Sequence, residues 1–340
     1  MNFVSVDCGK FDTKTAYLTP DGVKRFKLRT KIGRGNFADD NLKQGTMVVQ
    51  VDGGEVYAFG YGAKQEASME TSKMSEPHRI GVLASVAAAL GPGVFDEVSV
   101  CIGMPLNDCT NVDARLAYKD FIFGRENEGE HVVRWRCHSS EVVNETRFTI
   151  VKRYVYPEGC GVLWLCAERC QGSTAIIDIG NLNTNCIYAE GLEPEESMCF
   201  TGELGGKALI SGLAQTLSAD LGARVAESQV AATLLRKGEE RCLIPSNGDV
   251  RVKERSRQLI ADGVKYHVSQ IKQQCDIHKW PLAFAQVVCV GGTVRLIGDE
   301  LREVFGVNVF IPENAEYVNV EGFLRRMCAS QNVDVNAVRK

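Results

Sequence analysis

Residues Ala175 to Tyr188 read Ala-Ile-Ile-Asp-Ile-Gly-Asn-Leu-Asn-Thr-Asn-Cys-Ile-Tyr. The segment opens with an apolar run, which is typical of a buried strand. Asp178 and Gly180 interrupt the run, and a mixture of apolar and polar residues then resumes up to Tyr188. This pattern predicts a strand, a tight turn and a second strand, with a carboxylate and a glycine at the bend.

The N-terminal segment has the same design. Residues 4–17 read Val-Ser-Val-Asp-Cys-Gly-Lys-Phe-Asp-Thr-Lys-Thr-Ala-Tyr. The two segments align residue by residue, so that Asp7 matches Asp178, Gly9 matches Gly180, Phe11 matches Leu182, Asp12 matches Asn183, Thr13 matches Thr184 and Tyr17 matches Tyr188. Two copies of one hairpin, half a chain apart, predict two related domains that face each other.

The bulk composition is that of a globular protein. The chain has 340 residues, which favours two domains, and 44% of its residues are hydrophobic and 24% charged. The net charge of -4 provides no basic excess, so we expect no direct contact with nucleic acid. No apolar run approaches the roughly 20 residues of a membrane span, and no signal-peptide pattern opens the sequence. We therefore expect a cytoplasmic protein without a membrane partner.

The 13 cysteines are scattered through apolar segments. The sequence contains no Cys-x-x-Cys, and its closest cluster, Cys160, Cys166 and Cys170, lacks the spacing of zinc ligands and a nearby histidine. We expect buried free thiols in a reducing compartment rather than a metal site.

The rest of the chain alternates between strand and helix patterns, which indicates the α/β class. A further hairpin is predicted at 46–62. Strands are predicted at 23–28, 97–103, 131–136, 147–156, 285–290 and 307–311. Helices are predicted at 80–90, 107–123, 162–170, 208–221, 224–236, 252–274, 294–305 and 317–329. Residues 31–45 are predicted to be a loop, and the Arg and Lys of 131–136 and 147–156 are expected to face water.

Glycine turns follow the apolar strands at Gly9, Gly180 and Gly291-Gly292, and a further pair, Gly205-Gly206, opens a helix. Glycine lets phosphate oxygens approach the backbone N–H groups, and a helix N-terminus adds partial positive charge. Any one such turn could be a structural bend, but the whole set with two matched aspartates favours phosphate binding. The sequence lacks a P-loop, and strand–bend–strand order argues against a dinucleotide-binding fold.

Charged residues accompany these turns. Asp7 and Asp178 end predicted buried strands, where an unpaired carboxylate costs several kcal/mol. We expect them to hold Mg²⁺ through its water shell, with turn capping as the alternative. Lys14 is a candidate phosphate ligand, and the alternative is an exposed lysine on a strand.

The segment Asp-x-Gly-x-x-x-Thr-Lys at 7–14 resembles the first phosphate motif of the superfamily of actin, sugar kinases and heat-shock-chaperone ATPases. Residues 178–184 resemble its second phosphate motif, Gly205-Gly206 its connecting motif and 288–296 its adenosine motif. The resemblance covers residues 1–327 in the expected order. Within the superfamily, the chain length and the Tyr-Pro-Glu-Gly step at 156–159 most resemble the plasmid-segregating bacterial actins of the ParM type.

This resemblance implies an actin-like (ribonuclease H-like) α/β fold of two domains, with mixed sheets flanked by helices and a nucleotide cleft between the domains. Domain I is expected to comprise residues 1–155, with a small insertion at 31–75, and to be completed by a C-terminal helix at 315–340. Domain II is expected to comprise residues 156–314.

The resemblance also implies ATP, or GTP, as the cofactor together with Mg²⁺ that is held through water by Asp7 and Asp178. Glu158 takes the position that activates the attacking water; a solvated glutamate at a helix start is the alternative. The residues that the resemblance assigns to nucleotide binding are Gly9, Lys10, Phe11, Asp12, Thr13, Lys14, Gly180, Asn181, Leu182, Asn183, Thr184, Gly205, Gly206, Lys207, Gly291, Gly292, Thr293 and Leu296.

The implied function is that of a filament-forming actin-like ATPase that drives plasmid segregation. Its expected partners are further copies of itself and a DNA-binding adaptor of the ParR type. A small-molecule kinase of the same superfamily is one alternative, for which Asp108 and Asp113 are the available catalytic carboxylates. A scaffold that binds a nucleotide without hydrolysing it is the other alternative.

Overall fold

The structure is a computed structural model that describes residues 1–66, 73–124, 129–245, 248–306 and 308–335. The chain divides into two compact units, of which the first comprises residues Met1–Leu165 and Asn319–Lys340 and the second comprises Cys166–Val318. Residues 156–165, which the sequence analysis placed in the second domain, thus lie in the first unit. The closing helix returns to the first unit.

The strands of the first unit are β1 (Asn2–Cys8), β2 (Asp12–Thr19), β3 (Gly22–Arg29), β4 (Lys31–Arg34), β5 (Thr46–Val51), β6 (Val56–Gly60), β7 (Gln65–Glu66), β8 (Gly93–Met104), β9 (Glu130–Cys137) and β10 (Asn144–Pro157). They form one sheet in the order β3-β2-β1-β8-β10-β9-β5-β6-β4-β7. β1, β8 and β10 run parallel, whereas β2, β3 and β9 pair antiparallel with their neighbours. The carboxyl ends of β1, β8 and β10 therefore lie side by side at one edge.

The strands of the second unit are β11 (Ser173–Ile179), β12 (Thr184–Glu190), β13 (Glu193–Pro194), β14 (Phe200–Gly202), β15 (Gln286–Val290) and β16 (Val309–Phe310). The order of this sheet is β13-β12-β11-β15-β16, and β14 also pairs with β12. As in the first unit, the hairpin strands β11 and β12 are antiparallel and β11 pairs in parallel with a later strand, β15. The repeated sequence pattern thus corresponds to a repeated sheet topology.

The helices are α1 (Glu76–Leu90), α2 (Leu106–Cys109), α3 (Val112–Phe123), α4 (Gly161–Leu165), α5 (Gly206–Leu221), α6 (Glu227–Leu234), α7 (Val250–Ile277), α8 (Val294–Phe305) and α9 (Val318–Ser330). α1 contacts β1 and β2 and is buried along most of its length, because it is apolar on nearly all sides. A Cβ atom at Gly81 would lie 2.8 Å from the Phe59 ring, so glycine permits the close approach of α1 to β6.

α7 and α8 build the core of the second unit. α7 buries Ile260, Val264, Val268 and Ile271 on one face, at spacings of three and four residues that place side chains on the same side of a helix. These residues join Val287 of β15 in a single apolar cluster. The predicted amphipathic helix at 252–274 is confirmed.

Several predicted elements differ from the structure. Residues 31–45 were expected to be a loop, but Lys31–Arg34 form β4, which pairs with β6. The helix predicted at 107–123 is broken, because the Asn111 side chain accepts a hydrogen bond from the amide of Ala114 and starts α3 anew. The helix predicted at 162–170 ends at Leu165.

Two further differences lie in the strands. Arg136 was expected to face water but is only 5% exposed, because β9 lies inside the sheet between β10 and β5 and the guanidinium donates to the carbonyl of Asp39. The strand predicted at 307–311 is reduced to Val309–Phe310, and residue 307 lies outside the described residues.

Candidate functional site

The hairpin β1–β2 brings the residues of the first glycine turn together. Asp7 lies opposite Lys14 and Cys8 opposite Thr13 in the antiparallel register. The amide of Gly9 donates to the carbonyl oxygens of Asp7 at 3.1 Å and Asp12 at 3.2 Å. A Cβ atom at Gly9 would lie 2.9 Å from the Asp12 carbonyl, so the turn is tight enough to favour glycine.

The side chains of this hairpin have distinct surroundings. Burial raises the pKa of the Cys8 thiol to about 11, so Cys8 packs as a neutral thiol rather than acting as a nucleophile. Asp12 lies near two cations of β3, with Lys27 at 3.9 Å and Arg29 at 3.8 Å. The guanidinium of Arg29 also covers the ring of Phe11, which is 44% exposed at the tip. Lys10 adjoins Phe11 in the turn.

Asp7 is 6% exposed and has two ammonium groups beside it. Its carboxylate oxygens lie 3.9 Å from Nζ of Lys14 and 3.6 Å from Nζ of Lys73. The side chain of Lys14 is only 15% exposed, so it differs from the exposed strand lysine that was the alternative interpretation. Asp7 is thus a buried carboxylate with cationic partners.

Glu158 follows β10 and lies beside the end of β8. Its amide donates to the carbonyl of Met104 at 2.9 Å, and its carboxylate forms an ion pair with Lys73. The Glu158 side chain is 17% exposed, which differs from a solvated glutamate. A Cβ atom at Gly103 would lie 3.4 Å from the Asp7 carboxylate and 3.5 Å from Cγ of Glu158. The ends of β1, β8 and β10 therefore bring the two carboxylates together around Gly103.

Lys73 is the main residue of this site that the sequence analysis missed. Burial disfavours its charged form, but the carboxylates of Glu158 and Asp7 outweigh burial and raise the pKa of Lys73, so the ammonium is protonated. Lys73 precedes α1 in a polar stretch without strand or helix periodicity. No local pattern marks such a residue, because its partners lie far away in the sequence.

The second hairpin, β11–β12, is fastened to the start of α5. The amide of Gly206 donates to the carbonyl of Gly180 at 3.0 Å, that of Lys207 donates to Asn181 at 2.8 Å, and that of Gly205 donates to Leu182 at 3.2 Å. A Cβ atom at Gly205 would lie 2.4 Å from the carbonyl carbon of Leu182. Gly205 and Gly206 thus allow the start of α5 to pack directly against the turn of the second hairpin and to hydrogen-bond its carbonyl groups.

Thr293 fastens the hairpin to the start of α8. Its hydroxyl donates to the Gly180 carbonyl at 2.7 Å and its amide to the Ile179 carbonyl at 3.2 Å. The Thr293 hydroxyl would also lie 2.5 Å from a Cβ atom at Gly206. Thr293 therefore links the second hairpin, the start of α5 and the start of α8.

Asp178 is 6% exposed and lies against the backbone of Gly291. A Cβ atom at Gly291 would lie 2.5 Å from both a carboxylate oxygen of Asp178 and the carbonyl of Ile179, and Gly291 has a φ of +96°. Gly292 continues this turn into α8. The second hairpin, the start of α5 and the start of α8 therefore form one cluster in which three glycine turns meet.

The backbone of the second hairpin presents unpaired donors. The amide of Gly180 donates to the Asn183 carbonyl at 2.9 Å, whereas within the described residues the amides of Asn181, Leu182 and Asn183 donate to no other group. Thr184 turns its hydroxyl away to the carbonyl of Leu204 at 2.9 Å. Successive backbone N–H groups in a turn form a concave site for anions.

Arg241 supports the predicted adenosine motif and was missed by the sequence analysis. It pairs with Glu300 and donates to the carbonyl of Leu296, and both charged side chains are largely buried. The amide of Leu296 donates to the Thr293 carbonyl at 2.9 Å. Arg241 thereby ties the segment before α7 to the first turn of α8.

The residues fit a magnesium-bound nucleotide better than a metal held by protein alone. No group of three or more His, Cys, Asp or Glu side chains in the described ranges could hold a metal ion. Mg²⁺ usually keeps several waters and uses one or two carboxylates together with substrate phosphates. Asp7 in the first unit and Asp178 in the second are each a buried carboxylate beside a glycine turn that a Cβ atom would fill, so each unit by itself contributes one carboxylate of the kind that Mg²⁺ uses.

The remaining sequence candidates are spread over the surface and the core. Asp108 and Asp113, the carboxylates considered for a kinase, are both exposed. All 13 cysteines are free thiols, and most are buried. Among the described residues, no helix combines the length and apolarity that a membrane crossing needs.

No family model and no curated protein matches the sequence. Solved structures do match: an archaeal actin homologue has 19% identity and a TM-score of 0.75, with 97% of this chain and 100% of that chain covered. Bacillus thuringiensis ParM solved with ATP has 19% identity and a TM-score of 0.67, with 98% and 99% covered.

A third match is the Alp12 filament structure, with 20% identity and a TM-score of 0.70, covering 97% of this chain and 99% of that chain. The likeness extends over nearly the whole chain in each case. The chain therefore has the α/β fold of actin homologues and of ParM, which confirms the predicted fold class.

Proposed function

We propose that this protein is an actin-like nucleoside triphosphatase that assembles into filaments in a nucleotide-dependent manner. The observation that carries the proposal is the turn of the second hairpin. Three successive amides in this turn donate to no described residue, and the turn directly follows the buried Asp178. The first hairpin repeats the design with Asp7 and Lys14. The comparison with ParM, which was solved with ATP, supports this choice of ligand.

Different residues of the chain bind the phosphates, hold the metal ion and activate the attacking water. The amides of both hairpins and the ammonium of Lys14 bind phosphate oxygens. Asp7 and Asp178 hold Mg²⁺ through water, and the metal ion neutralises charge on the phosphates. Glu158 orients the attacking water and accepts its proton, which suits a carboxylate held within a site rather than in solvent.

The proposed partners follow from assembly. A head-to-tail contact between copies does not close on itself and so produces filaments. The Alp12 comparison, which is a filament structure, supports self-association. The net charge of -4 favours an indirect link to plasmid DNA, through a DNA-binding adaptor of the ParR type.

Sedimentation and light scattering of the purified protein test the proposal. With ATP and Mg²⁺ at tens of micromolar protein, we expect pelletable filaments and release of phosphate, and neither is expected with Mg²⁺ alone. The Glu158→Gln variant should still assemble with ATP but should release phosphate about 10²-fold more slowly, because it cannot accept the proton. Absence of any nucleotide-dependent assembly in the wild type would remove the filament proposal.

The phosphate measurement also separates the alternatives. A scaffold that binds a nucleotide without hydrolysis would release no phosphate, and Glu158→Gln would then change nothing. A small-molecule kinase would turn over ATP only after an acceptor such as a sugar is added. Asp108 and Asp113 are exposed, whereas Glu158 is partly buried and paired with Lys73, so the structure gives the kinase alternative less support than hydrolysis.

A further inference from the structure

Lys73 occupies the position next to Asp7 where the proposed function requires a cation. Its ammonium lies 3.6 Å from a carboxylate oxygen of Asp7 and forms an ion pair with Glu158. It also lies 3.5 Å from the carbonyl oxygen of Gly103. The Lys73 side chain is only 5% exposed, so the ammonium is directed inward and contacts both carboxylates at once.

The backbone around Lys73 is fixed to the start of α1. The carbonyl of Lys73 accepts a hydrogen bond from the amide of Ser75 at 2.9 Å, and the amide of His78 donates to the Ser75 carbonyl at 3.0 Å. The Ser75 hydroxyl lies 2.7 Å from Nδ1 of the buried His78. Lys73 is therefore attached through its backbone to the start of a buried helix.

Two carboxylates and two ammonium groups lie close together around Lys73. Asp7 and Glu158 contribute two negative charges, and Lys73 and Lys14 contribute two positive charges. Lys14 approaches Asp7 at 3.9 Å, whereas Lys73 contacts both Asp7 and Glu158. A buried carboxylate needs a cation, and at Asp7 the ammonium of Lys73 supplies the positive charge that Mg²⁺ would otherwise supply.

We propose, on the basis of the proposed function, that Lys73 is an internal counter-ion that replaces the metal ion at Asp7 when no nucleotide is bound. When the magnesium-bound nucleotide binds, Lys73 leaves Asp7 and keeps its contact with Glu158. Lys73 is thus a positioning residue for Glu158, and it makes metal binding depend on the nucleotide. The nucleotide-free protein should bind Mg²⁺ alone only weakly.

Thermal unfolding without nucleotide, at increasing Mg²⁺ and constant ionic strength, tests this inference. The wild type should show no shift of its midpoint with Mg²⁺. Lys73→Met should unfold at a lower temperature, and Mg²⁺ should raise its midpoint by about 4 °C or more, because the ion replaces the lost charge at Asp7. Lys73→Arg should behave like the wild type, since it restores the charge.

Two control variants test whether the response to Mg²⁺ depends on Lys73 and Asp7. Lys265→Met removes an exposed lysine that pairs with Glu303, and it should not create a response to Mg²⁺. The double variant Asp7→Asn with Lys73→Met removes both charges and should lose the response that Lys73→Met gains. If Lys73→Met is too unstable to purify, Lys73→Gln takes its place, because it also removes the charge while keeping Asp7 and should gain the same response to Mg²⁺.

Equal responses to Mg²⁺ in the wild type and in Lys73→Met would overturn the inference, as would a response in Asp7→Asn/Lys73→Met. Binding of a fluorescent ATP analogue to the wild type is measured in parallel. If the analogue fails to bind, the proposed function fails. If it binds with Mg²⁺ while the metal responses are equal, only the role of Lys73 fails.

Discussion

At the scale of single residues, Gly291 has the strictest requirements in the second unit. It combines a φ of +96° with a neighbouring carboxylate that leaves no room for a Cβ atom. Asp178 reaches its position only because this backbone is bare. The same residue thus determines both the turn into α8 and the placement of the proposed metal-binding carboxylate.

Gly291→Ala should therefore lower both stability and nucleotide affinity. Strain at a positive φ and displacement of Asp178 should together cost about 2 kcal/mol of unfolding free energy. Urea denaturation measures the stability, and titration with a fluorescent ATP analogue measures the affinity.

Gly212→Ala is the matched control, because Gly212 is an exposed residue within α5 and a Cβ atom there would have nothing within 4 Å. Alanine in an exposed helix is favoured over glycine by about 1 kcal/mol, so this variant should gain stability and keep its affinity. If both variants kept the wild-type affinity, Gly291 would not position Asp178 for binding.

The residues of the site differ in how far the sequence reveals them. The matched hairpins mark Asp7, Gly9, Asp178 and Gly180, because each hairpin is local and its turn chemistry is visible within a few residues. Lys73 could not be found in this way, since its partner Glu158 lies 85 positions away. Charges paired through tertiary contacts leave no local pattern.

At the scale of elements, the turn between β5 and β6 is held by Asp52. Its carboxylate accepts hydrogen bonds from the Val132 amide at 3.0 Å and from Arg79 at 2.8 Å, and it lies 3.0 Å from Nδ1 of His131. Burial opposes the charged form, but these donors, led by His131, lower the pKa of Asp52 below 3.8. One side chain therefore joins the turn, α1 and β9.

Asp52→Asn should reduce stability in a way that depends on pH. The folded pKa is lowered, so the carboxylate's contribution is fully present above 3.8 and is lost as pH falls through the folded pKa. We expect a loss of about 1 kcal/mol at pH 7 and a smaller difference from the wild type below pH 3.8. Asn tolerates the positive φ of 52° at this position, so the substitution tests charge rather than strain.

Urea denaturation of both proteins between pH 7 and pH 3 measures this difference. Asp21→Asn serves as the control, because that side chain is 80% exposed in its pair with Lys24. A difference between Asp52→Asn and the wild type that stayed constant over this range would show that the carboxylate's charge is not what holds the turn.

The elements show why some predictions succeeded and others did not. Long periodic segments such as α7 carry their own signal in the spacing of Val264, Val268 and Ile271. The break between α2 and α3 depends on one side-chain hydrogen bond from Asn111, and the burial of Arg136 depends on β5 pairing with β9. These last two features follow from capping and sheet order rather than from periodicity.

At the scale of the whole molecule, a repeated hairpin is embedded in a repeated topology. In each antiparallel hairpin, the first strand also pairs in parallel with a later strand: β1 of the hairpin β1–β2 pairs with β8, and β11 of the hairpin β11–β12 pairs with β15. The matched segments at 4–17 and 175–188 predicted this repeat, because in both of them a strand leads into a glycine turn and a second strand follows the turn. The additional strands β4 to β7 extend the first sheet and have no such counterpart in the motifs.

The duplicated carboxylates make a prediction that concerns both units. If Asp7 and Asp178 both bind one magnesium-bound nucleotide, loss of either carboxylate should remove the Mg²⁺-dependent part of the stabilisation that ATP gives the protein. ATP at 100 times its dissociation constant stabilises a protein by about 2.7 kcal/mol, which appears as a rise in the unfolding midpoint. In the wild type this rise should shrink when EDTA removes the metal ion, and in Asp7→Asn and Asp178→Asn it should be small with or without EDTA.

The quantity to compare is the shift caused by ATP rather than the midpoint itself, because Asp7→Asn also removes a partner of Lys73. Asp21→Asn should keep the full shift, since its carboxylate is 80% exposed and lies in the turn between β2 and β3, at the opposite end of β2 from the first glycine turn. A shift lost in only one of Asp7→Asn and Asp178→Asn would mean that a single hairpin binds the nucleotide. The repeated turn would then be a relic of duplication rather than half of a shared site, and the second carboxylate would need another explanation for its burial.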